Sequence, residues 1–263
     1  VSVDWKFSES SLVYASLARG YKSGGINQVA IVSAGRDADY DPEFVDTFEV
    51  GLKSRLLDDR VQLNVSAYTN DYTDLQFQVF QNSGPAAGNA GEATVNGLEV
   101  ELQALLSENW AIDASAGFMD SEYENLVFDT NGDGIDEDYS GNELTRSPEL
   151  TYSLGVTGSW DLDNGSNLRL RLEGSYTDEI YYAFLNREDD KADDYTNLNL
   201  RLFWTSPSEK FSAELFATNL SDEEQEGNIL RGIGFMDCAG CGGQEFVTYN
   251  APRQVGLTLG YKF

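Results

Sequence analysis

NAPRQVGLTLGYKF, residues 250–263, alternates strictly from Val255 onward. Val255, Leu257, Leu259, Tyr261 and Phe263 share one face; Gln254, Gly256, Thr258, Gly260 and Lys262 share the other. A period of two defines a strand with one apolar and one wet face. The apolar face closes on two aromatics. That fits a transmembrane β-barrel, whose outer face meets lipid, whose aromatics sit at the interface and whose last strand completes the sheet. The last strand of a soluble β-sandwich carries the same alternation.

Working outward, ten more segments read as strands, near 1–7, 11–20, 44–57, 60–80, 92–107, 109–123, 148–162, 166–183, 194–206 and 210–221. Leu98, Val100, Leu102 and Ala104 alternate with Glu99, Glu101 and Gln103; Leu168, Leu170 and Leu172 alternate with Arg169, Arg171 and Glu173. The faces of residues 11–20 are not assigned by the pattern. Connections alternate between tight turns, such as Asp58-Asp59 and Asp163-Asn164-Gly165, and long loops near 21–43, 81–91, 124–147, 184–193 and 222–249. Tight turns on one rim and long loops on the other are the plan of an outer-membrane barrel. Trp5, Trp110, Trp160 and Trp204 all lie beside tight turns, as an interfacial girdle requires and a packed sandwich core does not.

Composition narrows the function. The net charge of −28, from 45 acidic and 17 basic residues, excludes nucleic acid as a partner, because its affinity is carried by Lys and Arg. The chain has no histidine, which removes Ser-His catalysis and histidine metal or haem ligation; no enzyme is expected. No apolar run approaches the about 20 residues of a membrane helix, which says nothing against barrel strands. No signal peptide opens the chain. Eleven strands also cannot close with both edges antiparallel, so strands upstream are expected. A complete twelve-stranded passive or secretion barrel, such as an autotransporter translocator, is the competing arrangement.

Several pieces in order resemble the TonB-dependent outer-membrane receptors. They are Val13-Tyr14-Ala15-Ser16 with Arg19–Asn27 (RGYKSGGIN), Asp41-Pro42-Glu43, Phe48–Ser54 (FEVGLKS), Ala67-Tyr68 with Tyr72–Gln76 (YTDLQ), and Asn96–Glu101 (NGLEVE). Gly141-Asn142-Glu143-Leu144 with Ser147-Pro148, Ala217–Glu223 (ATNLSDE), and Ala251-Pro252-Arg253 before Gly260–Phe263 complete the series. The resemblance covers the whole chain, 1–263, as the C-terminal part of the barrel. It implies an all-β, antiparallel up-and-down barrel of about 22 strands filled by a plug domain, with the plug lying outside this sequence. It further implies a bacterial outer-membrane location, contact with lipid, energy from the TonB complex through an N-terminal region, and a small-molecule ligand. Within the family that ligand is most often a ferric siderophore, with vitamin B12, haem and glycans as other cases. The terminal signal of such barrels carries Gly five residues before the last aromatic; Thr258 stands there, between Gly256 and Gly260. The lumen-facing Glu49, Lys53, Glu99, Glu101, Arg169, Arg171, Arg201 and Glu214 would face the plug, or simply form a hydrated wall.

Three loop features carry possible chemistry. Asp129-Thr130-Asn131-Gly132-Asp133-Gly134 opens like a calcium loop, with oxygens at alternate positions and Gly at the turn. Asp129, Asn131, Asp133, the Ile135 carbonyl and Asp138 (or Asp136) would be the ligands. Ser140 replaces the bidentate Glu of the twelfth position and no helix flanks the loop, so this reads either as one weak structural calcium site or as a solvated acidic turn. No other cofactor is expected. Cys238-Ala239-Gly240-Cys241 lacks any βα context or second pair, and in an oxidising compartment is expected as a structural disulfide. Tyr181, Tyr182, Phe184 and Arg187 read either as ligand contacts at the loop rim or as part of the outer aromatic girdle. Residues 120–149 hold ten acidic residues and one basic, Arg146. Such loops form a solvated surface or favour neutral and cationic solutes over anionic chelates.

Overall fold

The computed structural model describes residues 1–27, 39–81, 84–89, 91–128, 135–231 and 245–263. One sheet of eleven strands runs through the molecule. In chain order these are β1 (Ser2–Lys6), β2 (Ser11–Lys22), β3 (Glu43–Leu56), β4 (Val61–Thr73), β5 (Glu92–Leu105), β6 (Trp110–Asn125), β7 (Leu150–Asp161), β8 (Asn167–Thr177), β9 (Tyr195–Thr205), β10 (Phe211–Thr218) and β11 (Gln254–Tyr261). Each strand pairs antiparallel with its chain neighbours, and β1 and β11 are the two edges. The architecture is thus all-β, up-and-down and open; it is not the closed twelve-stranded arrangement.

Register sorts the side chains into two faces. Val13, Leu52, Val65, Val100, Ala116, Tyr152 and Tyr176 form one row across seven strands. One residue along, Tyr14, Gly51, Ser66, Glu99 and Gly117 form a row on the opposite face. The first face is apolar and exposed, with Phe48, Leu98, Phe118, Leu154, Leu172, Leu215 and Leu257 all open. The second is polar. Apolar-out and polar-in is the inverse of a soluble core and the signature of a lipid-facing wall. The same rows place Val13, Ala15 and Leu17 of β2 on the lipid face, which the sequence pattern leaves open.

All four tryptophans sit on the apolar face at the tight-turn rim. Trp110 packs edge-on against Trp160, with ring centroids 5.3 Å apart. Trp160 and Trp204 flank Leu168 in one row, and Trp5 lies opposite Val13 near the end of β1. Phe211, Tyr261 and Phe263 extend this girdle, at 4.9 and 5.0 Å. On β6 the apolar face runs from Trp110 to Phe118, then turns acidic at Asp120, Glu122 and Glu124. Eight residue steps give an apolar band of roughly 27 Å along the strand, close to the height of such a band in bacterial barrels.

The inner face is tied by cross-strand polar contacts. Arg171 reaches over Gly155 to hold both oxygens of Asp113, at 2.7 and 3.0 Å, while a second carboxylate, Glu173, lies 3.0 Å away. A Cβ at residue 155 would meet the guanidinium and the Asp113 oxygens, so glycine opens the lane. Arg201 pairs with Glu214 at 2.7 Å. The Tyr14 ring lies over Gly51 and its hydroxyl donates to Glu49.

Two of the expected strands are shorter in the structure. The strand expected over 60–80 ends at Thr73, where Asp74 takes a left-handed φ of 57° and Leu75 N–H donates to the Gly91 carbonyl. Gln76–Gln81 then pairs with Gly84–Asn89 as a separate hairpin. The strand expected over 166–183 ends at Thr177, because Asp178 turns the chain by accepting the Glu179 N–H at 3.0 Å. Alternation continues through both breaks, so periodicity alone does not reveal them.

Candidate functional site at the long-loop rim

The long connections build structure of their own. Short two-stranded ladders join Gly25–Ile26 to Asp39–Tyr40, Val127–Phe128 to Glu137–Asp138, Ile180–Tyr181 to Lys191–Ala192, and Glu226–Arg231 to Glu245–Tyr249. They rise from the rim opposite the tryptophans.

Among the described residues, the cluster of buried hydrophobic side chains lies here. Ala93, Tyr123 and Leu126 are buried, and Tyr72, Leu75, Phe77, Tyr139, Leu144 and Phe184 pack against them. Tyr72, Ala93 and Tyr123 share the polar-face parity, so the cluster sits over the inner side of the wall. Phe77 lies 5.6 Å from Tyr123 and 5.8 Å from Phe184; Tyr139 lies 5.6 Å from Phe184. Three separate connections, after β4, β6 and β8, therefore meet in one aromatic knot. A chain with an otherwise inverted surface can bury apolar area against itself only where loops fold inward.

Polar contacts lock the knot. Asn142 donates to the Phe184 carbonyl at 2.9 Å. Asn186 receives the Glu143 N–H at 2.5 Å and donates back to the Glu143 carbonyl at 3.1 Å. Arg146 is the hub of a second tie. Its backbone N–H donates to the Tyr181 carbonyl at 2.9 Å, its guanidinium lies 5.0 Å over the Tyr182 ring, and it donates to Asn228 at 2.7 Å. Tyr182 in turn donates its hydroxyl to the Glu226 carbonyl at 2.9 Å. The connections after β6, β8 and β10 are thereby held together.

Electrostatics at this rim is acidic with internal compensation. Arg19, Lys22, Arg187, Lys191 and Arg253 each pair with a carboxylate. Among the described residues Arg146 differs: its side-chain contacts there are an aromatic ring and an amide oxygen, and it is exposed. Burial, with Glu149, Glu179 and Asp120 nearby, pushes the Glu143 carboxyl above its usual range, while Lys191 pulls it down. The hydrogen bond from Lys191 to Glu179 pushes the lysine up.

The expected ligand contacts fall within this assembly but are not one surface. Phe184 belongs to the aromatic knot, Tyr182 to the Arg146 tie, and Tyr181 to its short ladder; Arg187 pairs with Asp190 at 3.4 Å. All four lie on the long-loop side, at the rim opposite the tryptophan girdle. Tyr72, Leu75, Phe77, Tyr139 and Leu144, not among those expected contacts, complete the knot. Tyr72, Leu75 and Leu144 lie within the YTDLQ and GNEL segments, and Phe77 and Tyr139 lie just outside them. Asp129, Asn131 and Asp133, with Cys238 and Cys241, lie outside the described residues. Ile135 is exposed, and the Asp138 carboxylate is held below the usual range by hydrogen bonds from the Ser140 hydroxyl and from its backbone N–H, the latter at 2.9 Å.

The family model "TonB dependent receptor-like, beta-barrel" matches residues 1–220. The chain belongs to the TonB-dependent receptor family. A probable TonB-dependent siderophore receptor, PiuA, from Acinetobacter baumannii is 26% identical over 162 residues, which is 59% of this chain and 21% of that protein. A catecholate siderophore receptor, Fiu, from Escherichia coli O157:H7 is 24% identical over 163 residues, 58% of this chain and 20% of that protein. Among solved structures, the ferric yersiniabactin uptake receptor FyuA from Yersinia pestis superposes over 100% of this chain and 36% of its own, with a TM-score of 0.79 at 22% identity. The siderophore receptor PiuA from Acinetobacter baumannii gives 0.76 at 21% identity, over 100% of this chain and 35% of its own. This TonB-dependent receptor chain thus spans about a fifth of the length of the curated relatives it matches. These relatives are receptors for uptake, not enzymes.

Proposed function

We propose that this chain is the C-terminal wall of an outer-membrane receptor that imports a scarce nutrient of the ferric siderophore class, energised through TonB. The observation that carries the reading is the family match over residues 1–220 together with relatives that are siderophore receptors. The inward-folded knot supports it, since it gives the wall a shaped mouth on the long-loop side, which is the extracellular side in bacterial barrels. Aromatic faces and an exposed arginine in an acidic surround suit a flat metal chelate of low net charge held by Arg146 and Tyr182. Residues 129–138 are proposed to bind one structural calcium ion weakly.

The test is uptake by the full-length parent receptor in an iron-limited strain lacking its own siderophore receptors. Radiolabelled iron on a panel of catecholate, hydroxamate and carboxylate chelators is expected to enter with at least one of them. Entry should disappear when TonB is deleted. Uptake that persists without TonB, or failure across the panel with growth rescued by a non-iron solute, overturns the reading.

A further inference from the structure

The aromatic knot joins the connections after β4, β6 and β8, and the Arg146 tie adds the connection after β10. The remaining long connection, after β2, is brought in by a residue of the connection after β4. Gln76 donates its backbone N–H to the Glu43 carboxylate at 2.9 Å, at the start of β3. Its side-chain amide donates to the carbonyls of Ser23 and Asp41, at 3.0 Å each, with the Lys22 carbonyl further off at 3.4 Å. A carboxamide nitrogen carries two protons. Ser23 and Asp41 lie on the two arms of the connection after β2, so one side chain pins both. Asn89 and Asn27 reinforce the joint. Asn89 accepts the Asp41 N–H at 2.7 Å and donates to the Asp74 carbonyl at 2.7 Å. Asn27 exchanges two hydrogen bonds with the Ala87 backbone, at 2.7 and 2.9 Å.

Strand geometry makes Gln76 more than a local staple. Gln76 and Phe77 open the hairpin strand Gln76–Gln81, so their side chains point to opposite faces. Gln76 turns to the connection after β2. Phe77 turns to the knot, 5.6 Å from the Tyr123 ring and 5.8 Å from Phe184. The turn before them fixes this choice: Asp74 is left-handed, and the Leu75 N–H is held by the Gly91 carbonyl at 3.1 Å. From Phe184 the contacts run on to Tyr139 and Asn142, and then through Arg146 to Tyr181 and Asn228. Two adjacent residues thus splice a polar joint to an aromatic one, and all five long connections become links of one belt. Such a packed chain of contacts gives way cooperatively, because moving one link breaks the contacts of the next.

We infer that the five long connections behave as one cooperative unit, with Gln76–Phe77 as the link that couples the connection after β2 to the knot. Gln76 is a positioning residue in this unit. It is not among the proposed ligand contacts, yet it sets how firmly Arg146 and Tyr182 are held across the rim. A solute restrained at one link is thereby restrained by the others. The coupling belongs to the rim itself, so it stands or falls apart from the proposed uptake of a chelate.

The test is hydrogen exchange, resolved by peptide, on the full-length parent in nanodiscs without ligand. Gln76→Met keeps the length of the side chain and the backbone bond to Glu43 but removes both amide donors. Exchange is expected to quicken about tenfold at residues 22–27 and 39–42, beside the lost bonds, and also at 139–146 and 181–186 in the far links. Phe77→Ala is the reciprocal change and should quicken 22–27 and 39–42, although its ring faces the knot. The two changes combined should have less effect than their sum, because they cut the same link. The amides of β5 and β6 report that the barrel is folded; if they too lose protection, Phe77→Leu is measured for the same cross-effect. Quickening confined to the connection after β2 in the Gln76 variant, or to the knot in the Phe77 variants, overturns the inference. Full additivity of the two changes would overturn it as well.

Discussion

Arg171 shows how a single residue organises the inner wall. It holds Asp113 two strands away because Gly155 leaves the lane between them empty. Gly155→Val should push the guanidinium aside and destabilise the parent barrel by about 1–2 kcal/mol, discounted because both charges are partly exposed. Urea unfolding in detergent checks this, and an unchanged midpoint would remove the clamp from the account. Glu143 offers a pH-dependent test. Its folded value is raised, so its contribution to stability is fully present below its ordinary value of 4.5 and lost as pH rises through the folded value. Glu143→Gln should therefore protect the amides of Tyr139 to Asn142 at neutral pH relative to wild type, the gap closing towards pH 4.5. Exchange rates corrected for intrinsic pH dependence measure it; a gap constant with pH would contradict the assignment. These roles were partly legible in the sequence. The alternation put Arg171 on the inner face, but no pattern named Asp113 as its partner, since the pairing depends on register across β6, β7 and β8.

At the level of elements, the loops carry the packing that soluble proteins place between sheets. Phe184 touches both Phe77 and Tyr139, so it joins three connections. Phe184→Ala should release them together, at a cost of about 2 kcal/mol for a partly buried ring, while strand amides keep their protection. Hydrogen exchange resolved by peptide separates the two; strand amides losing protection in step with the loops would mean the knot is part of the barrel's cooperative unit. The residue 129–138 proposal is testable by calorimetry on the folded parent, where Asp129→Ala/Asp133→Ala should abolish a calcium heat with Kd of about 10⁻⁴ to 10⁻³ M. Equal heats would leave an ordinary acidic turn. Strand positions were readable because a two-sided wall imposes period two everywhere. The loop ladders were not, because they are short, and their side chains answer to neighbours distant in sequence.

For the molecule as a whole, the informative feature is the open sheet. β1 and β11 present unpaired edges, and their outer faces carry Val3, Leu257 and Leu259 in the open. The chain expressed alone should therefore associate through these edges. Light scattering of refolded material in detergent is expected to show oligomers, whereas the full-length parent should run as a heat-modifiable monomer. A monodisperse, monomeric preparation of this chain alone would overturn that expectation. The strand count and the alternation of short and long connections were already visible in the sequence, because lipid constrains every strand in the same way. The mouth was less visible, because water constrains loops hardly at all.

The placement of the four tryptophans also has a practical side. Every indole in the chain lies on the lipid face at the tight-turn rim, and β6 alone extends 16 residues towards the other rim, roughly 50 Å. Intrinsic indole emission from this chain will report the thickness and polarity of the surrounding bilayer and stay silent on events among the loops. A spectroscopist following ligand capture would need a reporter grafted into the knot, and Phe184→Trp is the natural position for it.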